Sequence, residues 1–547
     1  GQKRMKIKTA KKAASAAVMA GLCVILFVGT LYGEKDRKTT DVDGKEIWQK
    51  YAKEPVTLDW YVNYSWFTTP WGNNVVSEKI TEETGVTVHF ITPMGNETEK
   101  LNALIASDSL PDLITIGYWE PQMKTIIESQ MVYSLNELAE DYDIYFWKDT
   151  KEDVVKWYTM EDGNIYGYPC SATTLQDYEE KKESMASNQT FVVRKDIYEA
   201  IGSPDMSTQE GFLEAVEKAV EMFPEVNGEK LIPVGAHVFD NKGNPSFDKY
   251  LMNFLAVPWE KDGKMYDRYT DEEYLSWLKF FRKLGEKGLL SNDIFVDTRT
   301  QMEEKLESGR YFCMIYQWAD LTSQQKKLYE NNPDSIYIAV DGPKNSRGDD
   351  PTLPVSNING WTITMISKNC KNPDRALAFL QYLISEQGQK RVYLGVEGET
   401  YRMVNGSPVW TREAETLLET DREAFDLKYG ADDAYWMLQD NVMQSQWKQS
   451  EPDYISQMGD WTRKYTVYNG QYDVDLFISK EAAVIDDECV RLWSRTLPEL
   501  LLADSEEEFD RIFESFLEKR EGLGYEKVLD EKTKLMHEAK KKLGISE

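Results

Sequence analysis

The fold is decided by residues 101–119, LNALIASDSLPDLITIGYW. Their first half spaces Leu101, Leu104 and Ile105 on one face of a short helix, and the Asp-Ser-Leu-Pro sequence that follows predicts a turn. The apolar run at 113–116 is too short to cross a membrane and is typical of a strand that is buried on both faces of a sheet. This stretch therefore predicts one helix and one strand of an α/β sheet.

Aromatic and acidic side chains follow two of the predicted strands. Trp119 and Glu120 come just after 113–117, and strand 56–62 runs into a loop that holds Trp66 and Trp71. In open α/β sheets, ligands bind beyond the carboxyl ends of the strands. We therefore expect these four residues to bind a ligand.

The segments around the opening stretch extend the pattern. Residues 56–62 alternate like a strand, a helix ends at Gly85, and 86–91 predicts a second strand. This strand-helix-strand-helix-strand order predicts parallel strands joined by crossovers. Further strands are predicted at 190–194, 311–316 and 336–340.

Capping boxes predict where two helices of the middle region begin. Ser207 pairs with Glu210 and Thr270 pairs with Glu273, each at the spacing that lets both side chains bond the helix end. The chain beyond about residue 412 is predicted to be mostly helical. The fold class is therefore α/β with a helical C-terminal third.

Length and charge restrict the class of protein. A chain of 547 residues exceeds one ordinary core, so two or more lobes are expected. The net charge is -30, and six basic residues lie in the first 12 positions. The remainder is more acidic still, which excludes nucleic acid and anionic membrane surfaces as partners and favours neutral or cationic ones.

The histidines and cysteines show no metal-binding or redox pattern. The three histidines lie far apart, and no CxxC pair occurs. We expect no metal and no cofactor. Cys23 lies in the leader, and the other four cysteines are predicted to be buried thiols: Cys170, Cys313, Cys370 and Cys489.

The first 33 residues resemble an export signal. Six basic residues precede 21 uncharged ones at 13–33, long enough to span a bilayer as a helix. Cys23 lies off the position that a lipoprotein signal uses. An uncleaved anchor or an unusual lipoprotein signal is therefore favoured over cleavage, and 34–54 is predicted to be a linker.

Several segments in this order resemble the extracellular solute-binding proteins of ABC importers, in the large sugar-binding group found as surface lipoproteins of Gram-positive bacteria. The segments are LIASDSLPDLITIG, DGNIYGYP, TFVVRKDIYEAIG, LGEKGLLSNDIF and ISKNCKNPDRALAFLQYLISEQGQK. The resemblance implies a two-lobed, type II periplasmic-binding-protein-like fold. Its lobes, joined by crossing segments, would close over a ligand. It places 55–170 and 358–400 in lobe 1, and 171–357 and 401–547 in lobe 2.

A carbohydrate site needs aromatic platforms together with hydrogen-bonding side chains. Trp318 and Asp320 follow strand 311–316, and Asn357 and Trp361 flank the start of another apolar run. A family-like turn adds three candidates that either touch the ligand or only fix the hinge: Glu397, Tyr401 and Arg402. Four tryptophans are candidates for the wall of lobe 2, although core packing is favoured for each of them alone: Trp259, Trp436, Trp447 and Trp461. Three others are predicted to lie in the core: Trp60, Trp157 and Trp277.

These features predict a monomeric cell-surface receptor, anchored to the outer face of the cytoplasmic membrane. It would capture an oligosaccharide and deliver it to an ABC permease. A polysaccharide-degrading enzyme is the first alternative, and it would need two suitably spaced carboxylates. Because the chain has 94 acidic residues, some pair of carboxylates will always appear suitable, and their number does not distinguish an enzyme from a binding protein. A receptor for a peptide or signal is the second alternative.

Overall fold

The computed structural model describes residues 47–355 and 358–546. The predicted leader with Cys23, most of the predicted linker, and Asn357 lie outside these residues. The chain divides into two compact units. Unit 1 contains the described residues of Gly1–Cys170 and Thr362–Gln444, and unit 2 contains those of Ser171–Trp361 and Ser445–Glu547.

Nine of the described strands form the two larger sheets. In chain order they are β1 (Val56–Val62), β2 (Val86–Ile91), β3 (Leu113–Gly117), β4 (Tyr168–Pro169), β5 (Gln189–Arg194), β6 (Ile232–Gly235), β7 (Tyr311–Gln317), β8 (Tyr337–Ala339) and β9 (Thr362–Ile366). The sheet of unit 1 has the order β2-β1-β3-β9-β4, and that of unit 2 has the order β8-β5-β7-β6.

Strand β3 is the centre of unit 1, as residues 101–119 predict. All five of its residues are buried. It pairs in parallel with β1, which pairs in parallel with β2, so the predicted parallel arrangement is confirmed. Its one polar side chain, Thr115, bonds the hydroxyl of Thr364 at 2.7 Å and accepts from Trp60 Nε1 at 2.8 Å. The buried hydroxyl of Thr115 therefore has hydrogen-bond partners within the core.

Helices flank both sheets. Those of unit 1 are Ile47–Lys50, Val75–Thr84, Glu97–Ala106, Pro121–Glu128, Leu135–Tyr142, Glu152–Tyr158, Pro373–Ile384, Glu386–Leu394, Arg412–Thr420, Arg422–Lys428 and Asn441–Gln444. Those of unit 2 are Leu175–Lys181, Lys195–Ala200, Gln209–Met222, Lys249–Phe254, Glu272–Glu286, Arg299–Glu307, Thr322–Asn331, Asp453–Arg463, Lys480–Leu501, Glu506–Leu523 and Tyr525–Leu543.

Two predicted helix starts are wrong by one residue. Thr208, not Ser207, accepts the capping bond from the N–H of Gly211. Asp271, not Thr270, caps Glu272–Glu286. In each case a neighbouring residue with an equally good capping oxygen lies where the chain enters the helix.

The first described residues differ from the predicted linker. Trp48 is buried, and its ring meets that of Tyr382 edge to face at 4.9 Å. Arg375 donates to the backbone carbonyls of Tyr51 and Glu54. Residues 47–54 are therefore part of unit 1, because a buried arginine binds their carbonyls.

Residues 401–444 lie in unit 1 rather than in the second lobe. Long-range hydrogen bonds explain this placement. The amide of Gln389 donates to the carbonyl of Leu438 at 2.8 Å, and the thiol of Cys170 donates to the carbonyl of Trp436 at 3.1 Å. These partners are far apart in sequence, so periodicity along the chain does not reveal them.

Side-chain burial confirms two sets of predictions. The four cysteines predicted as buried thiols are free and buried. Trp60, Trp157 and Trp277 lie in the core. In the described parts of the chain, no helix combines the length and the apolar character needed to cross a bilayer.

Candidate functional site

The edge of the unit 1 sheet at which β1 and β3 end gathers aromatic side chains. Because these strands are parallel neighbours, their carboxyl ends lie at the same edge. Tyr64 and Trp66 follow β1, and Trp119 follows β3. Trp66 is 57% exposed and Trp119 is 49% exposed, which is unusual for tryptophan.

Trp66 is held as a platform by two other rings. Its indole stacks on that of Trp436, with ring centroids 5.5 Å apart and an interplanar angle of 30°. Tyr64 contacts Trp66 at 5.4 Å and meets Trp436 edge to face at 5.7 Å. Offset stacking of this kind fixes a ring while leaving area for another flat surface.

The segment that carries Trp436 is tied to the loop after β1. The hydroxyl of Tyr435 accepts from the amide of Asn74 at 2.7 Å and donates to the carbonyl of Pro70. The prediction that Trp436 lines the wall of the second lobe is therefore wrong. It lies in unit 1, beneath Trp66.

Trp119 lies against the backbone of Gly117. A Cβ added at Gly117 would stand 2.8 Å from both Cε2 and Cζ2 of the Trp119 ring. Only glycine leaves room for the indole at this distance. The glycine at the end of β3 thus sets the position of the ring.

Glu120 adds a carboxyl group beside Trp119. It is partly buried, and burial raises the pKa of its carboxyl group. It directly precedes Pro121–Glu128, whose N-terminal end favours negative charge. A carboxylate next to an exposed indole can accept hydrogen bonds from the hydroxyls of a sugar that stacks on the ring.

A second carboxyl group supports the segment that carries Trp436. Asp433 accepts from Gln444 Nε2 at 2.8 Å and from Gln439 Nε2 at 2.7 Å. Burial, with a smaller effect of Asp432, raises the pKa of Asp433 to about 7. At neutral pH its negative charge therefore destabilises unit 1.

We expect Asp433→Asn to stabilise the protein at pH 7.5 and to change its stability little at pH 4.5. The native carboxyl group favours folding below its unfolded pKa of about 4, and this contribution is lost as pH rises through about 7. The substitution should therefore add about 1–2 kcal/mol to the free energy of unfolding at pH 7.5. Denaturant unfolding of both proteins at the two pH values measures this.

Asp421→Asn is the matched control. Asp421 caps Arg422–Lys428 and is exposed, and asparagine also caps helices. If Asp433→Asn has the same effect at both pH values, the raised pKa of Asp433 is refuted.

Trp71, which was predicted to bind a ligand together with Trp66, is half-buried and partly covered by other side chains. Its Nε1 donates to the hydroxyl of Thr81 at 2.9 Å. Its ring contacts Tyr435 at 5.0 Å and Phe379 at 6.0 Å. These contacts fix the aromatic loop from inside unit 1.

In unit 2, two of the predicted residues follow β7. Trp318 is half-buried, and its Nε1 donates to the carbonyl of Ser187 at 2.8 Å. Asp320 is exposed and pairs with Arg299 at 3.2 Å. Asp320 therefore remains open to a ligand, whereas the indole N–H of Trp318 already has a partner.

The other tryptophans proposed for the wall of lobe 2 are packed. Trp259 stacks on Tyr472 at 5.8 Å, and the guanidinium of Arg268 lies 4.8 Å from its ring centroid. Trp447 and Trp461 are buried. These rings stabilise unit 2.

The turn after Gly395 leads into a hairpin of unit 1, Tyr401–Val404 paired with Ser407–Trp410. Tyr401 is buried, which leaves its ring unavailable to a solute, while Glu397 and Arg402 are exposed.

Trp361, which directly precedes β9, is half-buried.

Three residues of unit 2 are not predicted as site residues from the sequence: His237, Arg299 and Tyr316. The sequence predicts Tyr316 only as part of a buried strand, and His237 follows β6, which the sequence pattern does not predict. The apolar run at 231–236 was the available signal, because the polar residue His237 directly follows it.

The chain belongs to the family of bacterial extracellular solute-binding proteins, whose profile matches residues 76–398. This confirms the resemblance noted in the sequence. The family is one of binding proteins. Among the described residues, no group of three or more histidine, cysteine, aspartate or glutamate side chains is placed to hold a metal ion.

Three similar proteins give the family context. Lipoprotein LipO of Bacillus subtilis (strain 168) is 23% identical over 57% of this chain and 61% of its own length. The polygalacturonan/rhamnogalacturonan-binding protein YtcQ of the same strain is 20% identical over 63% of this chain and 66% of its own. The fructooligosaccharide ABC transporter substrate-binding protein FusA of Streptococcus pneumoniae serotype 4 (strain ATCC BAA-334 / TIGR4) is 25% identical over 40% of this chain and 42% of its own length.

The sequence matches thus span about two fifths to two thirds of the length of these relatives. The structure of FusA in complex with kestose aligns with 89% of this chain and 100% of its own, at a TM-score of 0.65 and 17% identity. This similarity confirms the predicted two-lobed solute-binding fold.

Proposed function

We propose that this protein is the extracellular substrate-binding component of an ABC importer and that it captures a carbohydrate. The observation that carries the proposal is the pair of exposed indoles at the neighbouring ends of β1 and β3. Two platforms on adjacent strands suit a ligand with more than one sugar ring, because each ring offers a flat C–H face. The ligand is therefore an oligosaccharide.

The comparisons support this assignment. The name of FusA states that it binds a fructooligosaccharide, and the name of YtcQ states that it binds polygalacturonan and rhamnogalacturonan. The two exposed indoles also offer apolar surface that a ligand can cover.

Location and partner follow from the leader and the family. Basic residues followed by 21 uncharged ones export the chain and hold it at the outer face of the cytoplasmic membrane. A membrane permease then receives the captured carbohydrate. The lipoprotein LipO supports attachment at the cell surface.

Isothermal titration calorimetry against a glycan panel tests the proposal. The panel contains kestose, cellotriose, xylotriose and mannotriose as neutral probes, and trigalacturonate and trimannuronate as acidic ones. We expect at least one to bind with a dissociation constant of about 10 μM or below, near −7 kcal/mol. Failure of every glycan, together with tight binding of a peptide, would refute the carbohydrate assignment.

A second assay tests the enzymatic alternative. Purified protein is incubated with each glycan for a day, and new reducing ends are measured. We expect none above a protein-free blank. A steady increase that depends on protein concentration would favour a polysaccharide-degrading enzyme.

A further inference from the structure

Two parallel strands of unit 2 end beside one another and bring polar residues together. Strands β6 and β7 pair in parallel, so their carboxyl ends lie at the same edge of the sheet. His237 follows β6, Tyr316 lies at the end of β7, and Asp320 follows it. Arg299 joins them as the first residue of Arg299–Glu307.

Hydrogen bonds fix the loop that carries His237. Its backbone N–H donates to the hydroxyl of Ser246 at 2.9 Å, and Ser246 donates to the carbonyl of Ile315 at 2.7 Å. The amide of Asn244 donates to the carbonyl of His237. The imidazole is therefore held against the end of β7, with its ring 5.6 Å from that of Tyr316.

Tyr316 has an unused hydrogen-bonding group. The residue is fully buried, and its hydroxyl has no hydrogen-bond partner among the described residues. Buried hydroxyls are normally paired, and this one lies at the carboxyl end of β7, beside the end of the parallel strand β6, where ligands of α/β sheets bind. The unpaired hydroxyl therefore indicates a site that a ligand group completes. The guanidinium of Arg299 lies 5.9 Å from the Tyr316 ring centroid.

The charged side chains around Tyr316 include more carboxylates than cations. Arg299 pairs with Asp320 at 3.2 Å and with Glu303, so one positive charge faces two carboxylates. His237 adds no positive charge at neutral pH, because burial and the neighbouring Arg299 lower its pKa. A ligand carboxylate would have to compete with Asp320 and Glu303 for the single guanidinium.

We propose that His237, Arg299, Tyr316 and Asp320, here called the Tyr316 cluster, bind the hydroxyls of an uncharged sugar residue. Asp320 accepts from one sugar hydroxyl, Arg299 donates to its neighbour, and the Tyr316 hydroxyl bonds a third oxygen. The inference rests on the proposed carbohydrate function and restricts it. The ligand is a neutral oligosaccharide and not a uronate such as polygalacturonate.

The test uses the full chain and the glycan panel described above. We expect a neutral trisaccharide to bind at least 100-fold more tightly than trigalacturonate or trimannuronate. Tyr316→Phe should weaken binding of the best neutral probe about fivefold, and Asp320→Asn about tenfold. Tyr316→Phe should leave the melting temperature unchanged or raise it, because it removes an unpaired buried hydroxyl.

Two matched variants serve as controls. Tyr311→Phe removes another buried, unpaired hydroxyl at the opposite end of β7. Glu307→Gln removes a carboxylate from the surface pair with Lys327. Both should leave the affinity unchanged.

The outcomes separate this inference from the proposed function. If no glycan binds, both fail. If trigalacturonate or trimannuronate binds best, the carbohydrate function stands and the neutral assignment is refuted. If a neutral probe binds but Tyr316→Phe and Asp320→Asn behave like the controls, the Tyr316 cluster is not part of the site.

Discussion

Trp66→Ala is expected to weaken carbohydrate binding about 30-fold, which corresponds to about 2 kcal/mol. The indole is 57% exposed and rests on Trp436, so it offers one rigid face to a sugar ring. Replacing it removes the stacking surface and leaves the underlying Trp436 too far from the ligand. Calorimetry with the best glycan of the panel measures the loss.

Two further variants make this result specific. Trp66→Phe keeps a smaller ring and should lose only about fivefold. Tyr142→Ala removes an aromatic ring of similar exposure at the end of Leu135–Tyr142 and should bind normally. All three should melt within about 3 °C of the native protein, since the side chains are exposed. Unchanged affinity of Trp66→Ala would show that this indole is not a binding platform.

Gly117→Ala is expected to weaken binding about 10- to 30-fold although it adds a single methyl group. Its Cβ would lie 2.8 Å from two atoms of the Trp119 ring, so the ring must move away from the strand end. A displaced indole no longer presents its face where the sugar lies. Calorimetry gives the affinity, and the near-ultraviolet circular dichroism of the tryptophans reports the movement of the ring.

A double-mutant cycle separates this effect from general damage to β3. Trp119→Ala alone should lose about 30-fold, and adding Gly117→Ala to it should cost nothing more, because no ring remains to be displaced. If the two losses add, Gly117 acts through the strand and not through Trp119. Both variants are checked for an unchanged cooperative melt.

Local pattern predicted much of unit 1 correctly. The apolar run before Gly117 identified β3, and the alternation of 56–62 identified β1. Their parallel pairing followed from the order of elements. Because the sequence also shows which residues come just after a strand, the exposed positions of Trp66 and Trp119 could be predicted.

The local sequence pattern did not predict burial where a side chain packs against residues that are distant in the sequence. Trp71 is predicted from its loop to bind a ligand, yet its ring packs within unit 1. Two of its ring partners, Phe379 and Tyr435, lie hundreds of residues away in the sequence. Burial depends on such contacts, and local periodicity carries no information about them.

The amino-acid sequence by itself determined the α/β class, the position of most strands of the two larger sheets and the aromatic residues that follow them, because these depend on the spacing of neighbouring residues. Only the tertiary structure decided which aromatic side chains are exposed and which are buried. It placed Trp436 beneath Trp66 and set Arg299 against Asp320, and it left the Tyr316 hydroxyl unpaired. The physical reason is that exposure and pairing are properties of atoms that folding brings together from distant parts of the chain.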